Sequence, residues 1–205
     1  EVKHLLIGIE TKGFDTGEVI YIDDMELKPY VPLPVNHNSS FEYGNVGSDD
    51  ALPWSYWIDG GVGTMNRSSA YALTGSSSLE MSGVQFGAMS QIVASPETGL
   101  YQLTANYYVP AGQSTDGTVK LFMNFRDGSH NHLGAIPTVH LDVNQEAGQW
   151  HLLEWIGEIP TEIDVPGTGL TEVKNLLIGI ETKGFDTGEV IYIDDIELKP
   201  YIPLP

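Results

Sequence analysis

The sequence predicts an all-β chain folded as a two-sheet antiparallel β-sandwich of jelly-roll type. Three observations carry that expectation. Apolar residues recur with a period of two, turn-forming clusters separate the alternating runs, and an internal repeat sets a unit of about 170 residues. No stretch holds a helical apolar stripe for more than two turns.

The alternating runs can be taken in chain order. Residues 101–109 alternate Leu103, Ala105, Tyr107 and Val109 with Thr104, Asn106 and Tyr108. Residues 119–126 alternate Val119, Leu121, Met123 and Phe125 with Lys120, Phe122, Asn124 and Arg126. Residues 190–198 set Val190, Tyr192, Asp194, Ile196 and Leu198 against Ile191, Ile193, Asp195 and Glu197. Each reads as a strand with one face toward a core. The clusters at 112–117, Asp127-Gly128 and Asp186-Thr187-Gly188 read as the turns between them. Trp54, Trp150 and Trp155 are expected in the core.

One repeat organises the chain. Residues 1–34 recur at 172–205 with 31 of 34 positions identical. The three differences are His4/Asn175, Met25/Ile196 and Val31/Ile202. Identity at that level is a tandem duplication, so residues 35–205 read as one complete unit and residues 1–34 as the tail strands and linker of a preceding copy. The linker Lys28-Pro29-Tyr30-Val31-Pro32-Leu33-Pro34, and its counterpart at the far end, is proline-rich enough to favour an extended, semi-rigid connector. The chain begins and ends mid-pattern, as a piece of a longer array would.

Composition excludes several classes. With no cysteine among 205 residues there is no disulfide and no cysteine-ligated metal. Acids outnumber bases 28 to 9, giving a net charge of −19, and the few cations are scattered, so nucleic acid is not an expected partner. No apolar run approaches the length that spans a bilayer, so membrane insertion is not expected. No catalytic glycine–serine, zinc-binding His-Glu or phosphate-cradling motif occurs, and no enzymatic activity is expected. His130-Asn131-His132 follows a turn signal and reads as a solvated loop.

The unit opens with Asn36-His37-Asn38-Ser39-Ser40-Phe41-Glu42-Tyr43-Gly44 and continues with Leu52-Pro53-Trp54. Gly75-Ser76-Ser77-Ser78-Leu79, Tyr101-Gln102-Leu103-Thr104-Ala105 and Gly148-Gln149-Trp150 follow, and a strand carrying Asp194-Asp195 closes it. This order resembles the carbohydrate-binding modules of the family 4, 9, 16 and 22 group over most of 35–198. The resemblance implies a jelly roll, commonly with a structural calcium, that binds a polysaccharide or oligosaccharide and performs no chemistry. It also implies an extracellular setting, secreted or at the cell surface.

Two sets of site residues follow. Calcium takes six to eight hard oxygen ligands, carboxylates and carbonyls together. Glu42, near the start of the unit, and Asp194 and Asp195, near its end, converge if the first and last strands lie side by side. The resemblance makes Glu42 and Asp194 the metal ligands, with carbonyls near Ser40 and Ser77 completing the shell. A sugar ring stacks its C–H face on an aromatic ring while its hydroxyls bond in-plane partners. Asn106, Tyr108, Phe122, Asn124 and Arg126, on the polar sides of their strands, supply that mixture, and Trp57 is expected to line a cleft. The strong negative charge favours a neutral glycan over uronates or sulfated chains. The competing expectation is a structural repeat of a surface fibre or adhesin, whose duplicated tails exchange strands between neighbouring repeats or other copies.

Overall fold

A computed structural model describes residues 34–44, 53–143 and 147–203. They belong to the compact unit Pro32–Pro205. The expectations for residues 1–33 lie outside the described residues.

Two antiparallel sheets face each other. The first has the order β1 (Ser55–Ile58), β4 (Phe86–Ala94), β12 (Asn175–Lys183), β6 (Thr118–Arg126) and β7 (His132–Ala135), with the short β8 (Leu141–Asp142) also on β6. The second has the order β2 (Thr64–Ser68), β3 (Ser78–Ser82), β13 (Val190–Pro200), β5 (Gly99–Tyr108) and β9 (Trp150–Ile159). A separate hairpin joins β10 (Glu162–Val165) to β11 (Gly169–Glu172). The chain crosses repeatedly between sheets, as from β4 to β5 to β6, and every pairing is antiparallel. This is the expected sandwich.

Alternation explains the core. Val119, Leu121, Met123 and Phe125 of β6 and Leu103, Ala105 and Tyr107 of β5 point inward and are buried. Leu176, Ile178 and Ile180 of β12 face Ile191, Ile193, Ile196 and Leu198 of β13 from the opposite sheet, all fully buried. The duplicated sequence therefore supplies the central strand of each sheet.

Two details depart from expectation. Strict alternation fails along β13, where the register shifts between Asp194 and Glu197 and Asp195 takes φ 49°. This bulge lets Ile191, Ile193, Ile196 and Leu198 all face inward, although a period of two separates the first pair from the second. Trp54 is core, at 3% exposure, but Trp150 lies on the outer side of the second sheet against Tyr108, with ring centroids 5.5 Å apart. Trp155 packs against the core while half-buried.

Candidate functional site

The opening segment is stitched to the closing strand. Val35 N donates to Leu198 O at 2.7 Å, and Asn36 bridges β13 by donating to Ile196 O and accepting from Leu198 N. Ser39 O accepts from Ile196 N at 3.0 Å. These bonds carry Glu42 toward Asp194 and Asp195, and the loop at 69–77 closes over all three.

Asp194 is fully buried. Its Oδ2 accepts from Leu73 N at 2.8 Å and Thr74 N at 3.2 Å, and its Oδ1 accepts from Asp195 N at 2.8 Å. Asp195 Oδ1 accepts from Thr74 Oγ1. Glu42 accepts from Ser76 N, Ser77 N and Ser76 Oγ, each at 2.9 Å. Gly75, at φ 62°, makes room for it: a Cβ there would lie 2.4 Å from Glu42 Oε1.

Burial pushes the Asp194 carboxyl up to about 7, with the neighbouring Asp195 charge adding to the rise against the amide bonds. Burial raises Asp195 too, and the charges of Glu197 and Glu42 act in the same direction. For Glu42, burial is outweighed by the bonds from Ser76 and Ser77 and by the Arg67 charge, and the carboxyl lies below its usual value. Among the described residues no Lys, Arg or His forms an ion pair with Asp194. Nor do three or more His, Asp or Glu side chains surround one point there. The carboxylates there are nevertheless hard oxygen donors, and Asp194 is buried without a paired cation among the described residues. Both properties suit a divalent cation of the calcium type.

The glycan-site residues separate into two groups. Phe122, Asn124 and Arg126 of β6 and Trp57 of β1 share the outer face of the first sheet. Asn106 and Tyr108 of β5 lie on the outer face of the second sheet, so no single surface holds all six. Alternation along a strand marks the outward residues but carries no information on which sheet a strand joins.

On the first sheet, registered rows run across the strands. Trp57 sits opposite Ala88, Ala88 opposite Glu181, and Glu181 opposite Lys120. The next row is Ser55, Ser90, Gly179 and Phe122. Trp57 is 44% exposed and packs edge-on against Phe86, with centroids 5.0 Å apart. Phe122 is only 8% exposed because its ring lies across Gly179, where a Cβ would meet its Cζ at 3.0 Å. Glu181 Oε1 accepts from Lys120 Nζ at 2.7 Å and from His140 Nε2 at 2.8 Å. A cavity of about 630 Å³ opens beside this group, lined by Asp59, Phe86, Asp116, Thr118, His140 and Glu181 among others. At the other end, Arg126 Nη1 donates to His130 O at 2.6 Å, while its buried Nε has no acceptor among the described residues.

The polar group of Glu181, Lys120 and His140, and Phe86 beside it, carry no local sequence signature. Glu181, Lys120 and His140 meet only through the register, and no local motif joins them. The only signal was Lys120 on the polar side of its strand.

On the second sheet, Tyr108 stacks on Tyr71 at 4.6 Å and Tyr71 lies 4.9 Å from Tyr192. Tyr71 is 41% exposed, whereas Tyr108 and Tyr192 are buried beneath it. Burial and the Glu80 charge push the Tyr192 phenol up to about 12. Asp127 organises the His130–His132 loop by accepting from Ser129 N, Asn131 N and Asn131 Nδ2.

No protein-family model and no curated protein matches the chain. Solved structures do match. A family 61 carbohydrate-binding module in complex with β-1,4-galactotriose is similar with a TM-score of 0.54 at 17% identity, over 82% of this chain and 99% of that one. A family 16 carbohydrate-binding module is similar with a TM-score of 0.50 at 17% identity, over 78% of this chain and 96% of that one. The Stig cyclase Fisc from Fischerella sp. TAU is similar with a TM-score of 0.54 at 15% identity, over 82% of this chain and 98% of that one. The chain thus has the jelly-roll fold found in carbohydrate-binding modules. A cyclase shares it, so function rests on the site and not on the fold.

Proposed function

We propose that this chain is a non-catalytic, extracellular carbohydrate-binding module for a neutral polysaccharide, held on the outer face of the first sheet. The observation that carries this reading is Trp57, nearly half exposed and packed on Phe86, which lines a cavity rimmed by carboxylates, an imidazole and a hydroxyl. An exposed indole offers the stacking plane, and the charged groups around it offer in-plane partners for hydroxyls. Asn124 extends that polar set along β6. Phe122 forms the floor more than the stacking surface. Asp59, Asp116 and Glu181 outnumber Lys183 and the Lys120 paired with Glu181, a balance that disfavours an anionic sugar.

The same reading assigns a structural calcium to Glu42 and Asp194, with Asp195 and the carbonyls of the Ser39-Ser40 turn nearby. Bound there, the ion supplies the positive charge that the buried carboxylates lack and ties the opening segment to β13.

Affinity electrophoresis against soluble xylan, β-1,4-galactan and mixed glucans, with calcium and with chelator, tests both parts. Retention by at least one neutral glycan that Trp57→Ala abolishes and Tyr108→Ala preserves is the expected result. Retention unaffected by Trp57→Ala removes the assignment of the site to this face.

A further inference from the structure

The duplicated segment is the middle of the sandwich. Residues 172–203 hold β12, flanked by β4 and β6, and β13, flanked by β3 and β5. Every buried side chain they place in the core has an identical counterpart 171 residues earlier, except that Met25 stands for Ile196. The chain therefore carries two copies of one central strand pair, a strand for the middle of each sheet, and a single slot for it.

Little is lost when one copy replaces the other. Met for Ile at 196 is a volume-conserving apolar exchange. His for Asn at 175 forfeits the bond from Asn175 Nδ2 to Asp127 O. Ile202 is exposed, so Val in its place changes no core contact.

Connectivity decides which molecule's copy fits. Leu198 O lies 2.7 Å from Val35 N, and its counterpart is Leu27. For residues 1–34 to enter their own sandwich, 28–34 must turn back from Leu27 to Val35. Their counterparts do the opposite: Lys199 and Pro200 stay paired with Gln102 and Tyr101 of β5, and Tyr201 N donates to Leu100 O. Closure in one chain gives up this pairing and folds a segment with prolines at 29, 32 and 34, which favour an extended path of roughly 20 Å. Another molecule's segment needs no turn and keeps the whole of β13.

We infer that residues 1–34 of one molecule take the place of β12 and β13 in a second copy of this chain. The displaced tail leaves the stoichiometry of filled slots unchanged, so the exchange propagates as an open head-to-tail series. This goes beyond glycan binding and does not depend on it. Because both copies make nearly the same contacts, the balance is set by the effective concentration of the chain's own tail, about 1 mM for a short tether.

The absence of cysteine permits a direct test. Leu177 faces Ile92 across β12 and β4, and the counterpart of Leu177 is Leu6. The full-length double variant Leu6→Cys with Ile92→Cys is refolded at about 1 mM and oxidised, beside Leu177→Cys with Ile92→Cys. The expected result is an intermolecular disulfide in roughly half the Leu6 variant and in about a tenth after tenfold dilution before refolding. The Leu177 pair closes mainly within one chain. Only intramolecular closure of the Leu6 pair, or none, overturns the inference. So does a wild-type chain that light scattering finds wholly monomeric after refolding at that concentration, whatever the disulfides do.

Discussion

In the presence of chelator the protein should lose stability as the pH rises from 5 to 7, and Asp194 is the reason. Its carboxyl ionises near 3.8 when unfolded and about 7 when folded. Between those values the folded state holds a proton that the unfolded state has released, so stability is fully present below pH 4 and declines as pH climbs to 7. The rise from 3.8 to about 7 corresponds to about 4 kcal/mol, of which roughly 2 kcal/mol falls between pH 5 and 7. For a domain of this size that is a fall in Tm of about 4–8 °C. Glu42 acts in the opposite sense and in another window. Its lowered carboxyl stabilises above the usual value and is lost only as the pH falls through the folded value, so it does not mask the effect.

Urea unfolding at pH 5, 6, 7 and 8 with chelator measures the slope, and Asp194→Asn isolates it. The amide places an NH2 among three backbone donors and costs stability at every pH, but it removes the titration and flattens the profile. Excess calcium should restore more at pH 7 than at pH 5, because it binds the ionised form; at a hundredfold over Kd the gain is about 2.7 kcal/mol. A flat wild-type profile, or an Asp194→Asn profile as steep as wild type, refutes the reasoning.

Trp57→Ala should weaken glycan retention at least about tenfold with a Tm change of only a degree or two, because the ring is half exposed; differential scanning calorimetry beside affinity electrophoresis checks both. Gly179→Ala should destabilise by more than about 3 kcal/mol, because a Cβ there would lie 2.1 Å from Met89 O, and denaturant titration reads it. Glu181→Gln should cost about 1 kcal/mol or less and reduce the salt dependence of stability, since it cuts the ion pair to Lys120 near the surface.

Much of the fold was legible because its governing rule is local. Burial on one side of a strand forces a period of two, and β5 and β6 show it residue by residue. The expectation that the first and last strands lie side by side fails, since β1 joins the first sheet and β13 the second. Glu42 is drawn toward Asp195 instead by the opening segment, which forms no strand but hydrogen-bonds to β13 through Val35 and Ser39. What sequence did not reveal is non-local or irregular. The bulge at Asp195 adds one residue to a pattern that otherwise looks continuous. Tyr108 and Phe122 have the same alternation signature, yet β5 and β6 belong to different sheets. Trp150 is large and apolar enough to read as core, but the register opposite Tyr108 turns it outward. The group formed by Glu181, Lys120 and His140 depends on three segments whose alignment no short window encodes.

The acid cluster and the strand exchange bear on each other through β13. The acid cluster forms only when β13 or its duplicate fills the slot, because Ser39, Asn36 and Val35 hold the opening segment to that strand through Leu198 and Ile196. Asp23 and Asp24 repeat Asp194 and Asp195, so either tail rebuilds the same donors. A cation bound there does not choose between tails, since it gains equally from both. It does oppose the open state through which one tail must leave before another enters. Calcium should therefore slow interchange while leaving the equilibrium fraction of exchanged chains nearly unchanged, and chelator should speed it. Mixing labelled and unlabelled oligomers at fixed concentration and following label transfer reads the rate. A rate insensitive to chelator means that the ion does not clamp this strand, whereas an altered equilibrium fraction means that the two tails do not build equivalent sites.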